Sequence, residues 1–310
     1  MNLIILYIFF IIVIFAILGA KFDFKKVGFF KSFTITIIIV ATGIFTGILP
    51  MYVGKCGDKA WYTYNIYNTA RIYGKGKVSL NSYENSDVID GVLASYSTPT
   101  HLVPDKLKKV IIKKGITELD TAAFASYQNL EEIKLSNTVS SIGNVSFSHC
   151  NNLRKIDNLG NVNYIGSGAF MYCENLKELY IPSGVTEIKD YTFYNCGQLS
   201  QITLHDNIAS IKQCAFYNCT SLQSIQLPNK LKKIGSYAFE NCTLLKEITI
   251  PESVTIIEKR PFYRCTKLKD IYIIGKSNEN DDKWDYIKID DDDGKIELGG
   301  SSDIVIHWDN

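Results

Sequence analysis

A block of 23 residues recurs without insertion from Leu107 to Lys267, and any fold for this chain has to accommodate that period. The block from Leu176 reads LKELYIPSGVTEIKDYTFYNCGQ. Others begin at Leu107, Leu130, Leu153, Leu199, Leu222 and Leu245, and an eighth starts at Leu268 and breaks off after its first strand. Self-similarity at one fixed period of this length is the signature of a solenoid, in which each copy stacks on the last. No copy can bury its apolar side chains alone, so neighbours must cover both of its open faces.

The columns of the repeat show which side chains face inward. Position one is always Leu. Position four is Val110, Ile133, Ile156, Leu179, Ile202, Ile225 and Ile248. Positions ten and thirteen hold only Val, Ile or Leu, as in Val185 and Ile188, and position eighteen is Phe in all seven copies, Phe124 through Phe262. Alternation around positions four to six predicts a short strand, and a second is expected near positions ten to thirteen. A compact turn or short helix carrying the Phe closes each copy.

The run L-x-x-I-x-I-P-x-x-V-x-x-I-x-x-x-A-F-x-x-C resembles the BspA-type leucine-rich repeat, over about residues 56–275. The resemblance implies a leucine-rich-repeat solenoid, β-rich with short helical turns. Members of that family are mostly surface proteins associated with adhesion and protein binding. The shared residues are the buried ones, so they say little about a ligand.

Two segments stand apart from the repeats. Residues 2–20 and 34–53 carry no charge and are mostly apolar, each long enough to cross about 30 Å of hydrocarbon as a helix. A cleaved signal peptide is the alternative for the first, but it lacks a basic n-region and its apolar run is too long. Residues 1–53 are therefore expected to form a transmembrane helical hairpin. Its loop holds Lys21, Lys25, Lys26 and Lys31 against Asp23. A short Lys-rich loop stays cytoplasmic, which sends the repeats outside the cell. From Gly54 onward, 29 basic and 31 acidic side chains nearly cancel, and nothing in that balance points to nucleic acid.

Residues 54–106 lie outside the period and are expected to form a β-rich cap and loop before the solenoid of 107–275. Trp61 to Tyr73 alternates polar and apolar residues around Asn68-Thr69, which suggests a hairpin, and Gly74-Lys75-Gly76 is expected to close it. Residues 276–310, with Trp284 and Trp308, are expected to cap the other end. Asp290 to Asp293 before Gly294 invite a calcium reading. An EF-hand loop needs an acid where Ile289 stands and a glutamate where Gly300 stands, so a solvated turn is expected.

No cofactor, metal or catalytic residue is expected. Six of the eight cysteines fall in one column, Cys150, Cys173, Cys196, Cys219, Cys242 and Cys265. Ligands for a metal must converge on a point, and a stacked column does not. Buried thiols as core filler are expected there, with Cys56 and Cys214 as the more reactive pair. His149 and His205 are expected in solvent. What remains is surface. Position five points outward and reads Tyr180, Thr203, Gln226, Thr249 and Tyr272, a strip with aromatic ends that is expected to contact a protein ligand. Tyr194, Tyr217 and Tyr263 form a second expected row. The reading is a membrane-anchored protein that binds other proteins or adheres. The alternative is a structural or receptor-like envelope component, non-catalytic, that holds a membrane partner through its hairpin.

Overall fold

Each copy forms one rung of a stack, and hydrogen bonds between rungs run along three sides. The computed structural model describes residues 52–82, 88–89, 92–93, 100–101, 106–278, 286–287 and 304–309. The apolar segments, apart from Tyr52 and Val53, lie outside these residues, as do Asp290 to Asp293. Tyr52 and Val53, expected at the end of the second apolar segment, are instead the first residues of a strand, β1 (Tyr52–Gly57). Among the described residues no helix is long and apolar enough to cross a membrane.

The first side is a ladder of parallel strands at positions three to five, such as Glu132–Lys134, Glu178–Tyr180 and Glu247–Ile250. The second side is a parallel ladder at positions ten to thirteen, such as Ser141–Ile142, Glu187–Ile188 and Lys233–Ile234. Registers between neighbours advance by 23 residues, with Ile133 beside Ile156 and Ile211 beside Ile234. The core lies between the sides. Phe124, Phe147, Phe170, Phe193, Phe216, Phe239 and Phe262 are fully buried there in one continuous stack. Ring centroids lie 5.3 Å apart at the first pair and 5.5 Å at the last.

The third side departs from the expected short helix. Positions sixteen and twenty are left-handed in every copy: Ala122 and Ser126, Val145 and His149, Gly168 and Tyr172, Tyr191 and Asn195, Cys214 and Asn218, Tyr237 and Asn241, Arg260 and Arg264. A right-handed helix cannot pass through two such residues. They turn alternate N–H groups along the stack instead. Tyr191, Phe193 and Asn195 donate to the carbonyls of Gln213, Ala215 and Tyr217 at 3.0, 2.8 and 2.8 Å. The same three bonds recur from copy to copy, so this side is a third ladder built from turns. Among the described residues the one helical element is a 3-10 turn at Leu159–Asn161. There Asn158 takes the place filled by buried Leu135 or Ile181 elsewhere, adopts a φ of 67°, and lets Leu159 enter the core. Both strand ladders are interrupted just after this copy.

The N-terminal cap is a rung of its own. β2 (Lys59–Tyr64) and β3 (Thr69–Val78) pair antiparallel as the expected hairpin, with the reversal at residues 65–68, beside Asn68-Thr69. The glycines are a corner within β3. Thr69 to Ile72 pair with Lys109 to Ile112 on the first side, and Gly76 to Val78 pair with Ile116 to Leu119 on the second. At Gly74, with φ of 115°, a Cβ would stand 2.1 Å from the Lys59 carbonyl oxygen. Tyr127, which replaces the column cysteine in the first copy, donates its hydroxyl to the Leu80 carbonyl at 3.0 Å and locks the cap to the array. At the far end Tyr286–Ile287 and Val305–Asp309 add one more rung to the two strand ladders.

The cysteine column is buried and free of disulfides. Each thiol donates to the carbonyl of the Phe in the preceding copy, from Cys150 on Phe124 at 3.0 Å to Cys242 on Phe216 at 3.3 Å. That carbonyl also accepts the N–H of the cysteine in its own copy, as Phe147 does from Cys150 at 3.0 Å. One sulfur therefore fills space and completes the acceptor's second lone pair.

Two predictions follow from these ladders. Ser126 is half-exposed at φ of 64°. Ser126→Gly should hold or raise stability by up to about 1 kcal/mol, and Ser126→Val should lower it by about 1–2 kcal/mol, read from urea unfolding. In the thiol column, Cys219→Ser keeps a donor toward Phe193 and should cost about 1 kcal/mol. Cys219→Ala loses both donor and packing and should cost roughly 2 kcal/mol. An alanine variant as stable as the serine variant would remove the hydrogen bond from this account.

Candidate binding surface

The first ladder sets its position-four side chains inward and its position-five side chains outward, because successive residues of a strand face opposite ways. Tyr180, Thr203, Gln226, Thr249 and Tyr272 are all exposed, Tyr180 at 55% and Tyr272 at 36%. Tyr180 lies beside Thr203, and Thr249 beside Tyr272. Gln226 is different. Its copy has no strand on this side, and the ladder stops at Gln201–Thr203 and resumes at Glu247–Ile250. An open cavity of about 980 Å³ fills that break, with Gln226 and Thr249 on its walls together with Asn229, Lys232, Glu247 and Glu252. The structure thus brings Gln226 and Thr249 to one groove, leaves Tyr180 on one side of it and sets Tyr272 on the other.

The strip also continues further than the repeat pattern suggests. His307 pairs in register with Tyr272, stacks on its ring at 4.5 Å and 13°, and places Nε2 2.8 Å from the Asp270 carboxylate. Sequence reasoning missed it because some thirty residues separate the last strand of the period from this one. The only available signal was the apolar alternation of DIVIHW.

The second row is packed rather than free. Tyr194, Tyr217 and Tyr263 are half-buried, not exposed. Tyr194 stacks on Tyr217 at 4.6 Å, touches Tyr172 edge-on at 5.6 Å, and Tyr172 stacks on His149 at 4.3 Å. Burial pushes the Tyr194 hydroxyl up to about 12 and lowers the His149 pKa. His149 is therefore a member of the stack and not a solvated side chain. His205 is half-buried too, its Nε2 2.6 Å from the Pro182 carbonyl. The Arg260 and Arg264 guanidiniums lie over the Tyr263 ring at 5.5 and 5.2 Å. Beside this row burial raises the Glu240 pKa, against the opposing pull of Arg264 and Arg260.

The two cysteines outside the column are slightly more exposed than those within it, at 2% and 7% against 0%. Cys56 and Cys214 are buried, and desolvation pushes them up to about 12 and about 11. A thiolate is the reacting form, so neither thiol is activated by its surroundings. Among the described residues no cluster of His, Cys, Asp or Glu could hold a metal ion.

Among solved structures, a leucine-rich repeat protein from Bacteroides ovatus matches with a TM-score of 0.50 and 24% identity, over 82% of this chain and 70% of that one. One from Eubacterium ventriosum matches with a TM-score of 0.49 and 19% identity, over 72% of each chain. A leucine rich cell surface protein from Faecalibacterium prausnitzii matches at 0.37 and 20%, over 82% of this chain and 94% of that one. No curated protein sequence matches the chain. The first of these likenesses supports the fold alone. The family model described as "BspA type Leucine rich repeat region" matches six copies across residues 104–205 and 186–283, more than half of the sequence. Together with the stacked Leu, Ile, Phe and Cys columns, that match means the chain belongs to the BspA-type leucine-rich-repeat family.

Proposed function

We propose that this protein is a membrane-anchored receptor or adhesin. In this reading residues 2–20 and 34–51 span the bilayer, and the solenoid is displayed outside the cell, where it binds another protein. The observation that carries the binding reading is the line of exposed position-five side chains, with Tyr180 and Tyr272 flanking the Gln226–Thr249 groove. A rigid stack holds such side chains in place before any ligand arrives, which lowers the ordering cost of association. Aromatic side chains on a rigid surface are the usual source of binding hot spots. The reading is of a binding protein rather than an enzyme, since no nucleophile and base are brought together along the strip.

The pair Tyr180→Ala with Tyr272→Ala should leave thermal unfolding nearly unchanged, because both side chains already face solvent. If the strip is the contact surface, capture of the protein ligand should weaken at least tenfold in that variant. Unchanged capture would move the contact to the Tyr172–Tyr194–Tyr217 row. Orientation is checked separately. Protease added to intact cells should remove the repeats and leave a small membrane-embedded stub, and repeats that stay protected until lysis would reverse the outside assignment.

A further inference from the structure

The N-terminal cap carries a face that the binding strip does not use. On β2 the side chains of Lys59, Trp61 and Thr63 point away from the core, while Ala60, Tyr62 and Tyr64 point in. Registers fix the neighbours of these residues. Lys55 lies opposite Trp61 and Trp61 opposite Tyr73, Lys59 lies opposite Lys75, and Val53 and Arg71 flank Thr63. Trp61 stacks on Tyr73 at 6.3 Å and is 47% exposed, and Val53 is 51% exposed. One outward face therefore combines an aromatic pair, an apolar side chain and four basic groups.

At the corner where β3 crosses from the first ladder to the second, this face opens into a cavity of about 560 Å³. Lys55, Lys59, Lys75 and Lys77 line it, with Asp58 and Asp120. Lys77 is occupied by Glu118 at 2.8 Å and Asp120 at 3.6 Å. Lys55, Lys59 and Lys75 have no ion pair among the described residues. The imbalance belongs to the cap. Residues 52–77 hold five basic side chains against Asp58, whereas the rest of the chain beyond them holds 24 basic and 30 acidic ones. Three lysines without an ion pair among the described residues line one hollow, which gives it the charge to take an anion such as a phosphate.

Chain continuity selects the source of that phosphate. Tyr52 opens β1 within the last residues of the uncharged segment 34–53. Trp and Tyr with lysines, next to an apolar segment, are the side chains that partition into the headgroup layer of a bilayer. We infer that this corner of the cap is a lipid headgroup site. Lys55, Lys59 and Lys75 hold the phosphate of an anionic phospholipid, while Trp61, Tyr73 and Val53 enter the interfacial layer. The inference rests in part on the proposal that residues 34–51 cross the membrane, and its test separates the two.

The full chain is held in neutral maltoside micelles and titrated with short-chain phosphatidylglycerol, short-chain phosphatidylcholine or inorganic phosphate. Emission from Trp61, isolated by comparison with Trp61→Phe, reports entry into lipid. Acetylation of single lysines, followed by mass spectrometry, reports occupancy of the hollow. Phosphatidylglycerol should half-saturate the Trp61 signal at a concentration at least tenfold below phosphatidylcholine, and should slow acetylation of Lys55, Lys59 and Lys75 at least fivefold. The triple change of these lysines to Gln should bring the two lipids within twofold of each other without moving the unfolding temperature. Equal response to both lipids overturns the site, as does a phosphatidylglycerol preference that survives the triple change. Protection by inorganic phosphate as strong as by the lipid, with no Trp61 response, makes it a soluble-anion site and overturns the lipid assignment. Alkaline carbonate applied to the chain in phosphatidylcholine vesicles tests the anchor: extraction with the lipid preference intact sinks the membrane span and leaves the headgroup site standing.

Discussion

Main-chain hydrogen bonding between rungs on three sides is what the rest of this structure depends on. Two sides use strands, and strands tolerate a wide choice of side chains. The third uses a turn that is left-handed twice per copy, so that the N–H groups of Tyr191, Phe193 and Asn195 all point to the next rung. One residue added within a ladder position of a copy would break the register of that side with both neighbours. The period therefore stays at 23 residues through seven copies. Long sequence outside the period enters at the two ends of the array, between Val78 of the cap and Lys109 of the first copy and between Gly275 and Val305 at the last rung.

Once the ladders fix the spacing, identical side chains meet in columns, and each column has its own reason to persist. Phe rings stack near-parallel at 5.2 to 5.6 Å. Asn195, Asn218 and Asn241 satisfy two demands together. Asn tolerates the left-handed region better than most residues, and the side chains pass hydrogen bonds along the column, Asn241 to Asn218 and Asn218 to Asn195, both at 2.6 Å. The thiols answer a narrower need. A Phe carbonyl with one bond from its own turn has room for a second donor, and the sulfur of the next copy reaches it without the desolvation cost of a hydroxyl. Charged columns alternate in sign where the array begins: Lys108, Glu131 and Arg154 follow one another, and Lys109 faces Glu132. These pairs are largely exposed and add little stability, but they prevent the like-charge stacking that a strict repeat otherwise imposes.

The core was legible because apolar columns repeat in sequence as they repeat in space. Leu, Ile, Val and Phe at positions one, four, ten, thirteen and eighteen named the buried set, and the outward strip followed from parity. The left-handed turn was not legible. Position sixteen holds Ala122, Val145, Gly168, Tyr191, Cys214, Tyr237 and Arg260, a set with no common side-chain chemistry and one glycine. The main-chain ladder holds these residues at positive φ whatever they carry, so composition gives no cue. The glycines of the cap misled for a related reason. A Gly-x-Gly run reads as the end of a hairpin, yet here it bends one strand through a corner, while the reversal is made at Asn65–Asn68, beside the expected Asn68-Thr69, where the Asn65 side chain accepts the N–H of Tyr67 and of Thr69. The tyrosine row was misplaced because periodicity locates a side chain on a turn without saying how far the turn is covered by its neighbours.

Distance along the stack separates the two surfaces proposed for this chain. Both look outward from the first side, since Arg71 of the cap lies in register with Ile111, the position-five residue of the first copy. From β3 to the copy that carries Tyr180 is four rungs, roughly 19 Å at about 4.8 Å each. Screening acts over about 10 Å at 0.1 M salt, so the lysines of the cap contribute little field at the strip. The strip itself carries no formal charge from Tyr180 to Tyr272. Added salt should therefore weaken an attraction between the cap and an anionic bilayer more than it weakens recognition by the uncharged position-five side chains of the strip. A repeat fold suits that division, because each rung contacts only its neighbours and one end of the stack can be specialised without disturbing the other.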